Sequence, residues 1–172
     1  MCCNRDLKRT AAIEKRFNGK KYLWAWKWVG LCYHPNVLDP DLGIYSATKR
    51  YKWSQGWNRA KTEFGTKLNN RHIVSKWDTI SCGIHVVFSK LDALLAARSF
   101  ESPRFGFLSL MRVKVFKDDL IGVGYLRNFG LLYNNICRAD DVTWTSGVFT
   151  KVWLPHEEMK RVLNGSRLLL SV

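Results

Sequence analysis

The sequence predicts a single α+β domain: a mainly antiparallel, twisted sheet with one central packed helix and short peripheral helices. Three observations predict it. Ser81 to Gly124 reads as strand, helix, strand, turn and strand. Lys21 to Val29 alternates with period two, placing Tyr22, Trp24, Trp26 and Trp28 on one face and Leu23, Ala25, Lys27 and Val29 on the other. The 172 residues, 47% hydrophobic and 24% charged, amount to one domain's length with apolar material for a core. No internal repeat or low-complexity linker divides the chain. The expected organisation is a basic helix or arm over 1–19 and the α+β domain over 20–172.

Taken in order, residues 5–17 place Leu7, Ala11 and Phe17 near one side of a helix, with Arg5, Lys8, Arg9, Lys15 and Arg16 around the rest. So thin a stripe suits either a basic arm that orders on a partner or a flexible lead-in. Asn18-Gly19 ends it. The three tryptophans of the Lys21 to Val29 strand are expected in the core, with a base-stacking platform as the alternative that Lys20, Lys21 and Lys27 keep open. Gly30 to Gly43 is irregular, and Ile44 to Trp53 alternates weakly.

In the central unit, Ile84, Val86 and Phe88 share one face of a half-buried strand and His85 and Val87 the other. Ser89 is an N-cap, Asp92 follows three positions later, and Leu91, Leu94, Leu95 and Ala97 stripe a helix to Arg98. Pro103 and Gly106 mark a loop before the alternating run Phe107 to Phe116. Asp118-Asp119 turns the chain into Leu120 to Gly124. Asn134-Asn135 signals a turn within Asn128 to Cys137. Val142 to Leu154 reads as two strand halves joined near Ser146-Gly147. Pro155 opens a short helix, His156 to Leu163, that Asn164-Gly165 stops, leaving Leu168 to Val172 as a strand or tail.

Charge is the strongest functional signal. The chain carries 28 Lys and Arg against 14 Asp and Glu, a formal net charge of +14. Residues 1–80 hold 16 against 6, or +10, and the remainder 12 against 8, or +4. Such a field attracts polyanions, meaning nucleic acid, an acidic protein or anionic lipid, unless the excess charge serves solubility alone. Cations and aromatics interleave in Lys49, Arg50, Tyr51, Lys52 and Trp53 and continue through Trp57, Arg59 and Lys61. That chemistry neutralises phosphates and stacks bases, so these eight residues form the expected binding face, with Trp24, Trp26 and Trp28 as further stacking candidates. The competing reading is a solvated loop whose aromatics fill the nearby core. An acidic or nucleic-acid-handling host protein is the other expected partner.

Other chemistries find less support. Cys2, Cys3, Cys32, Cys82 and Cys137 are odd in number and lack CxxC spacing, reading as reduced thiols of a cytoplasmic protein. Cys32 with His34 and Cys82 with His85 offer four zinc-ligand types at spacings unlike a zinc finger, so no metal or other cofactor is expected. No P-loop, GxSxG, HExxH or dinucleotide turn is present. No run of eighteen apolar residues suggests a membrane span.

The segments Gly83-Ile84-His85-Val86, Asp92-Ala93-Leu94, Val113-Lys114-Val115 and Asp119-Leu120-Ile121-Gly122-Val123-Gly124 resemble a class of small bacteriophage accessory proteins. Gly43-Ile44-Tyr45-Ser46 and Tyr51-Lys52-Trp53 share that look. The resemblance implies a viral origin and a compact α+β domain; the expected role is that of a non-enzymatic binding protein inside an infected cell, for which inhibition of a host defence would fit, with a structural virion component as a further alternative. The resemblance assigns no reaction. His85, within the first motif, is a candidate groove residue. The enzyme alternative is an ADP-ribosyltransferase-like protein, for which Tyr45 to Thr48 would be the characteristic strand and Glu157 or Glu158 the late carboxylate.

Overall fold

A computed structural model of the chain describes residues 3–32, 43–46, 52–60, 79–80, 83–97, 107–126 and 144–170. Its elements run β1 (Cys3–Arg5), α1 (Leu7–Arg16), β2 (Leu23–Cys32), β3 (Gly43–Ser46), β4 (Gly56–Arg59), β5 (Thr79–Ile80) and β6 (Ile84–Val87). Then follow α2 (Lys90–Ala97), β7 (Phe107–Val115), β8 (Leu120–Leu126), β9 (Trp144–Phe149), β10 (Lys151–Leu154) and α3 (His156–Leu170). The strands form one sheet in the order β4-β10-β7-β2-β6-β9-β8-β1-β5, with β3 also paired to β2. Every strand pairing among the described residues is antiparallel. This is the α+β class the sequence predicts.

The longest ladder joins β2 to β7, from Leu23 opposite Val115 to Leu31 opposite Phe107. Its inner face carries Leu23, Ala25 and Val29 against Met111, Val113 and Val115, and Val152 and Leu154 of β10 extend that face. Ile13 and Phe17 from the α1 end and Val162 of α3 join the same cluster, with Val123 and Phe149. Lys27 shares this inner parity and is half-buried.

Two helices use side chains to finish strand edges. In β7 the backbone groups of Leu110, Arg112 and Lys114 point away from β2, and of these three Lys114 alone is met by a described strand, opposite Trp153 of β10. Pro155 then turns the chain into α3, where Glu158 Oε1 accepts from the Arg112 N–H at 2.7 Å and Arg161 Nη2 donates to the Leu110 carbonyl. At the other end, β1 pairs with β8 as far as Arg5 opposite Gly124. Asp6 N–H then donates to the Val123 carbonyl at 2.8 Å, and Thr10 Oγ1 of α1 accepts from the Val123 N–H at 3.0 Å. Backbone groups left open by a strand that ends early must find partners, and here side chains supply them.

Several expectations change in the folded chain. The N-terminal segment is neither arm nor lead-in: β1 is a sheet strand between β8 and β5, and Thr10, Ile13 and Phe17 are buried. The helix is turned from its expected face, leaving Leu7 63% exposed. Strand β6 is buried along all four residues, because it lies between β2 and β9 in the sheet with α2 packed nearby, and is not half-buried. Ser89 caps α2 as expected, its Oγ accepting from Asp92 N–H at 3.2 Å, but Ala93 points inward while Leu91 and Leu94 face solvent.

The break between β9 and β10 falls at Thr150, whose N–H leaves the ladder for the Asp119 carbonyl at 2.8 Å; Ser146 and Gly147 lie buried inside β9. Helix α3 continues through Asn164-Gly165 to Leu170, since a mid-helix glycine costs only about 1 kcal/mol. Strand β4, which carries Trp57 and Arg59, is opened by Gly56 at φ 86°. Asn128 to Cys137, and the turn expected there, lie outside the described residues.

Candidate functional site

Period two fixes two faces for each strand, and the buried one decides which side chains are left outside. In β2 the buried residues are Leu23, Ala25 and Val29, so Tyr22, Trp24, Trp26 and Trp28 take the outer face, with Trp24 39% exposed. The expectation that these tryptophans build the core is therefore corrected for Trp24, while Trp26 and Trp28 are half-buried on that face and the Trp28 indole nitrogen is enclosed. The inner positions oppose Met111, Val113 and Val115, with which Leu23, Ala25 and Val29 form the core cluster.

The same parity holds in the three neighbouring strands. Outside β7 stand Arg112, Lys114 and, just beyond, Phe116; outside β10, Lys151 and Trp153; outside β4, Trp57 and Arg59. Register aligns them. Trp57 lies opposite Trp153, Trp153 opposite Lys114, and Lys114 opposite Trp24, a straight row across four strands. Beside it, Arg59 lies opposite Lys151, and on the other flank Arg112 lies opposite Trp26. The outer face of β4-β10-β7-β2 thus consists of aromatic rings and cations, with no carboxylate among these residues.

Ring contacts knit the row together. Trp57 meets Trp153 edge-on at 5.4 Å and Phe116 at 5.0 Å, while Tyr22 meets Trp24 edge-on at 5.8 Å. Cations sit over the rings: Lys114 Nζ is 4.2 Å from the Tyr22 centroid and 5.3 Å from that of Trp24. The Arg112 guanidinium is 5.0 Å from Trp24 and 5.9 Å from Trp26, and Lys151 Nζ is 4.6 Å from Trp57. Each such pair at an exposed site contributes about 0.5–1 kcal/mol and holds a long flexible side chain in place.

Two of these cations are tethered from behind. Asp119, 8% exposed, lies 3.5 Å from Lys151 Nζ and also accepts from Thr150 Oγ1 at 3.2 Å. Glu158, 4% exposed, lies 3.7 Å from Arg112 Nε and 2.6 Å from Arg161 Nη2. Burial pushes the Glu158 carboxyl upward, but the hydrogen bonds from Arg161 and the Arg112 N–H, with the two guanidinium charges, outweigh it and hold the group below its ordinary value. Lys114 and Arg59 have no ion pair among the described residues.

Of the residues singled out from sequence, Trp57 at 42% exposure, Arg59 and Lys52 are on the surface. Trp53 is corrected to a core residue: it is 2% exposed, so its ring is closed to any ligand, and its backbone N–H donates to the Ile44 carbonyl at 2.8 Å. Lys49, Arg50, Tyr51 and Lys61 lie outside the described residues. His85 is buried in β6 opposite Val148. Sequence reasoning missed Arg112, Lys114, Lys151 and Trp153. Their outward alternation was legible, but their convergence depends on the order of β4, β10, β7 and β2.

Glu157 is exposed and both oxygens of Glu158 are engaged by Arg112 and Arg161, so the carboxylate of the enzyme alternative is occupied in closing the β7 edge. Among the described residues no three His, Cys, Asp or Glu side chains gather to hold a metal ion. No described helix is long and apolar enough to cross a membrane. No protein-family model matches the chain, and no curated protein or solved structure matches it significantly.

Proposed function

We propose that this protein binds nucleic acid, and single strands in particular, on the outer face of β4-β10-β7-β2, without acting as an enzyme. The observation that carries this reading is the in-register row Trp57, Trp153, Lys114 and Trp24, flanked by Arg59, Lys151 and Arg112. Exposed rings beside cations, of which Lys114 and Arg59 have no ion pair among the described residues, suit unpaired bases and the phosphates that link them, and base stacking contributes about 1–3 kcal/mol per base. A net charge of +14 adds long-range attraction for such a ligand.

The test is a titration of short single-stranded and double-stranded oligonucleotides across salt, followed by tryptophan fluorescence. Affinity is expected to fall linearly with salt on logarithmic axes, with quenching strongest for single strands. Absence of binding to any oligonucleotide at low salt would overturn the proposal.

A further inference from the structure

The cations of this face divide into two kinds. Lys151 and Arg112 each lie over one of two exposed tryptophans, Trp57 and Trp24, and each is backed by a buried carboxylate, Asp119 or Glu158. Each therefore has a carboxylate within 4 Å on its inner side, that of Glu158 being shared with Arg161. Lys114 stands between those two indoles in the same row and has no carboxylate partner among the described residues; Arg59, one row away, has none either. A phosphate gains most where the cation is not already neutralised.

Spacing limits what fits. Trp57 and Trp24 are separated by three inter-strand steps, roughly 14 Å at about 4.8 Å each. A four-stranded RNA-recognition sheet stacks about two or three bases on its aromatics over comparable ground. Trp153, half-buried between the two exposed indoles, offers a ring edge to a base lying between them.

We infer that the face is a site for about three nucleotides of single strand, in which Trp57 and Trp24 stack the outer bases and Lys114, with Arg59, takes the intervening phosphates. Lys151 and Arg112 are positioning residues that fix the two indoles and take no phosphate. On binding, a base slides over Trp24 and displaces the Lys114 ammonium, the more distant of the two cations on that ring, toward the phosphate. This inference rests on the nucleic-acid reading above and adds to it a footprint and a division of charge.

The experiment measures the salt dependence of binding to oligothymidylates two to eight nucleotides long, for the full chain and its variants. Affinity is expected to rise steeply to three nucleotides and then only statistically with length. Trp24→Ala and Trp57→Ala should each weaken binding roughly 5- to 150-fold. Lys114→Met should lower the slope of log affinity against log salt by about one contact, whereas Lys151→Met weakens binding yet leaves the slope unchanged. A structural role alone would not separate those two slopes, and unchanged thermal midpoints check the folding of both variants. A Lys114→Met slope equal to the parent's, or an equal loss of slope in Lys151→Met, overturns the inference while leaving the nucleic-acid reading intact. A complete lack of oligothymidylate binding by the parent chain overturns the inference, and lack of binding to every oligonucleotide of the titration above overturns the nucleic-acid reading as well.

Discussion

The carboxylate of Glu158 accepts a hydrogen bond from the backbone N–H of Arg112 at 2.7 Å, and the side chain of that same arginine lies over Trp24 on the outer face. One residue of α3 therefore finishes the edge of β7 and steadies the cation above the candidate stacking ring. Stability and surface chemistry meet at this contact.

Replacing Glu158 by alanine leaves the Arg112 N–H without its acceptor and is expected to cost about 1–3 kcal/mol. The ion pairs add little, because the arginine side chains are 46% and 52% exposed. The carboxyl is held below its ordinary value in the folded chain, so its contribution is present above the unfolded-state value and disappears as pH falls through the folded one. Urea unfolding at pH 7 and at progressively lower pH should show the gap between parent and Glu158→Ala narrowing in acid. A gap independent of pH would exclude the charge and leave packing alone.

The opposite edge makes a parallel prediction. Thr10 Oγ1 accepts from the Val123 N–H at 3.0 Å and donates to the Asp6 carbonyl at 2.8 Å, and Thr10 is 6% exposed. Thr10→Val keeps the shape but orphans a buried donor, and is expected to destabilise by about 1–3 kcal/mol; Thr10→Ser should recover most of it. Equal stability of the valine and serine variants would show that the hydroxyl is dispensable.

Both edge contacts mark where sequence reasoning reached its limit. The strands of β2, β6, β7 and β8 and the capped start of α2 are legible because period two and an N-cap are local signals. Thr10 meeting Val123 and Glu158 meeting Arg112 join residues 113 and 46 positions apart, and no local pattern encodes them. The faces of β2 were ambiguous for a related reason. Alternation separates Trp24 from Ala25, but which of them turns inward depends on Met111, Val113 and Val115 across the ladder. A lysine on the inner side made that choice harder to see.

Burial pushes Lys27 down from its ordinary value of 10.5 to about 8. A lysine whose folded value is depressed favours the neutral form, so its charge penalises folding below about pH 8 and the penalty fades as pH rises toward 10.5. Lys27→Met is therefore expected to be more stable than the parent at pH 7, by about 1–3 kcal/mol, its aliphatic stem keeping the packing. Chemical unfolding of both at pH 7 and pH 10 tests this. The advantage should shrink at the higher pH, and an advantage that persists unchanged would place the lysine charge in water.

Two tryptophans four residues apart should behave as opposites. Trp53 is 2% exposed in the core and Trp57 is 42% exposed on the outer face. Trp53→Ala empties a packed site and is expected to cost about 3–5 kcal/mol, enough to consume much of a small domain's stability. Trp57→Ala should cost under about 1 kcal/mol, since its contacts with Phe116 and Trp153 are those of a surface cluster. Asn58 supports the difference: its side chain accepts from Ser54 N–H and donates to the Ser54 and Gly56 carbonyls, holding the turn that presents Trp57 outward whatever its ring does. Thermal unfolding of the two variants, alongside oligonucleotide titration of the Trp57 variant, separates the roles. Similar stability losses for both would mean that the outer-face aromatics are a second core, and the case for a stacking surface would fall with that result.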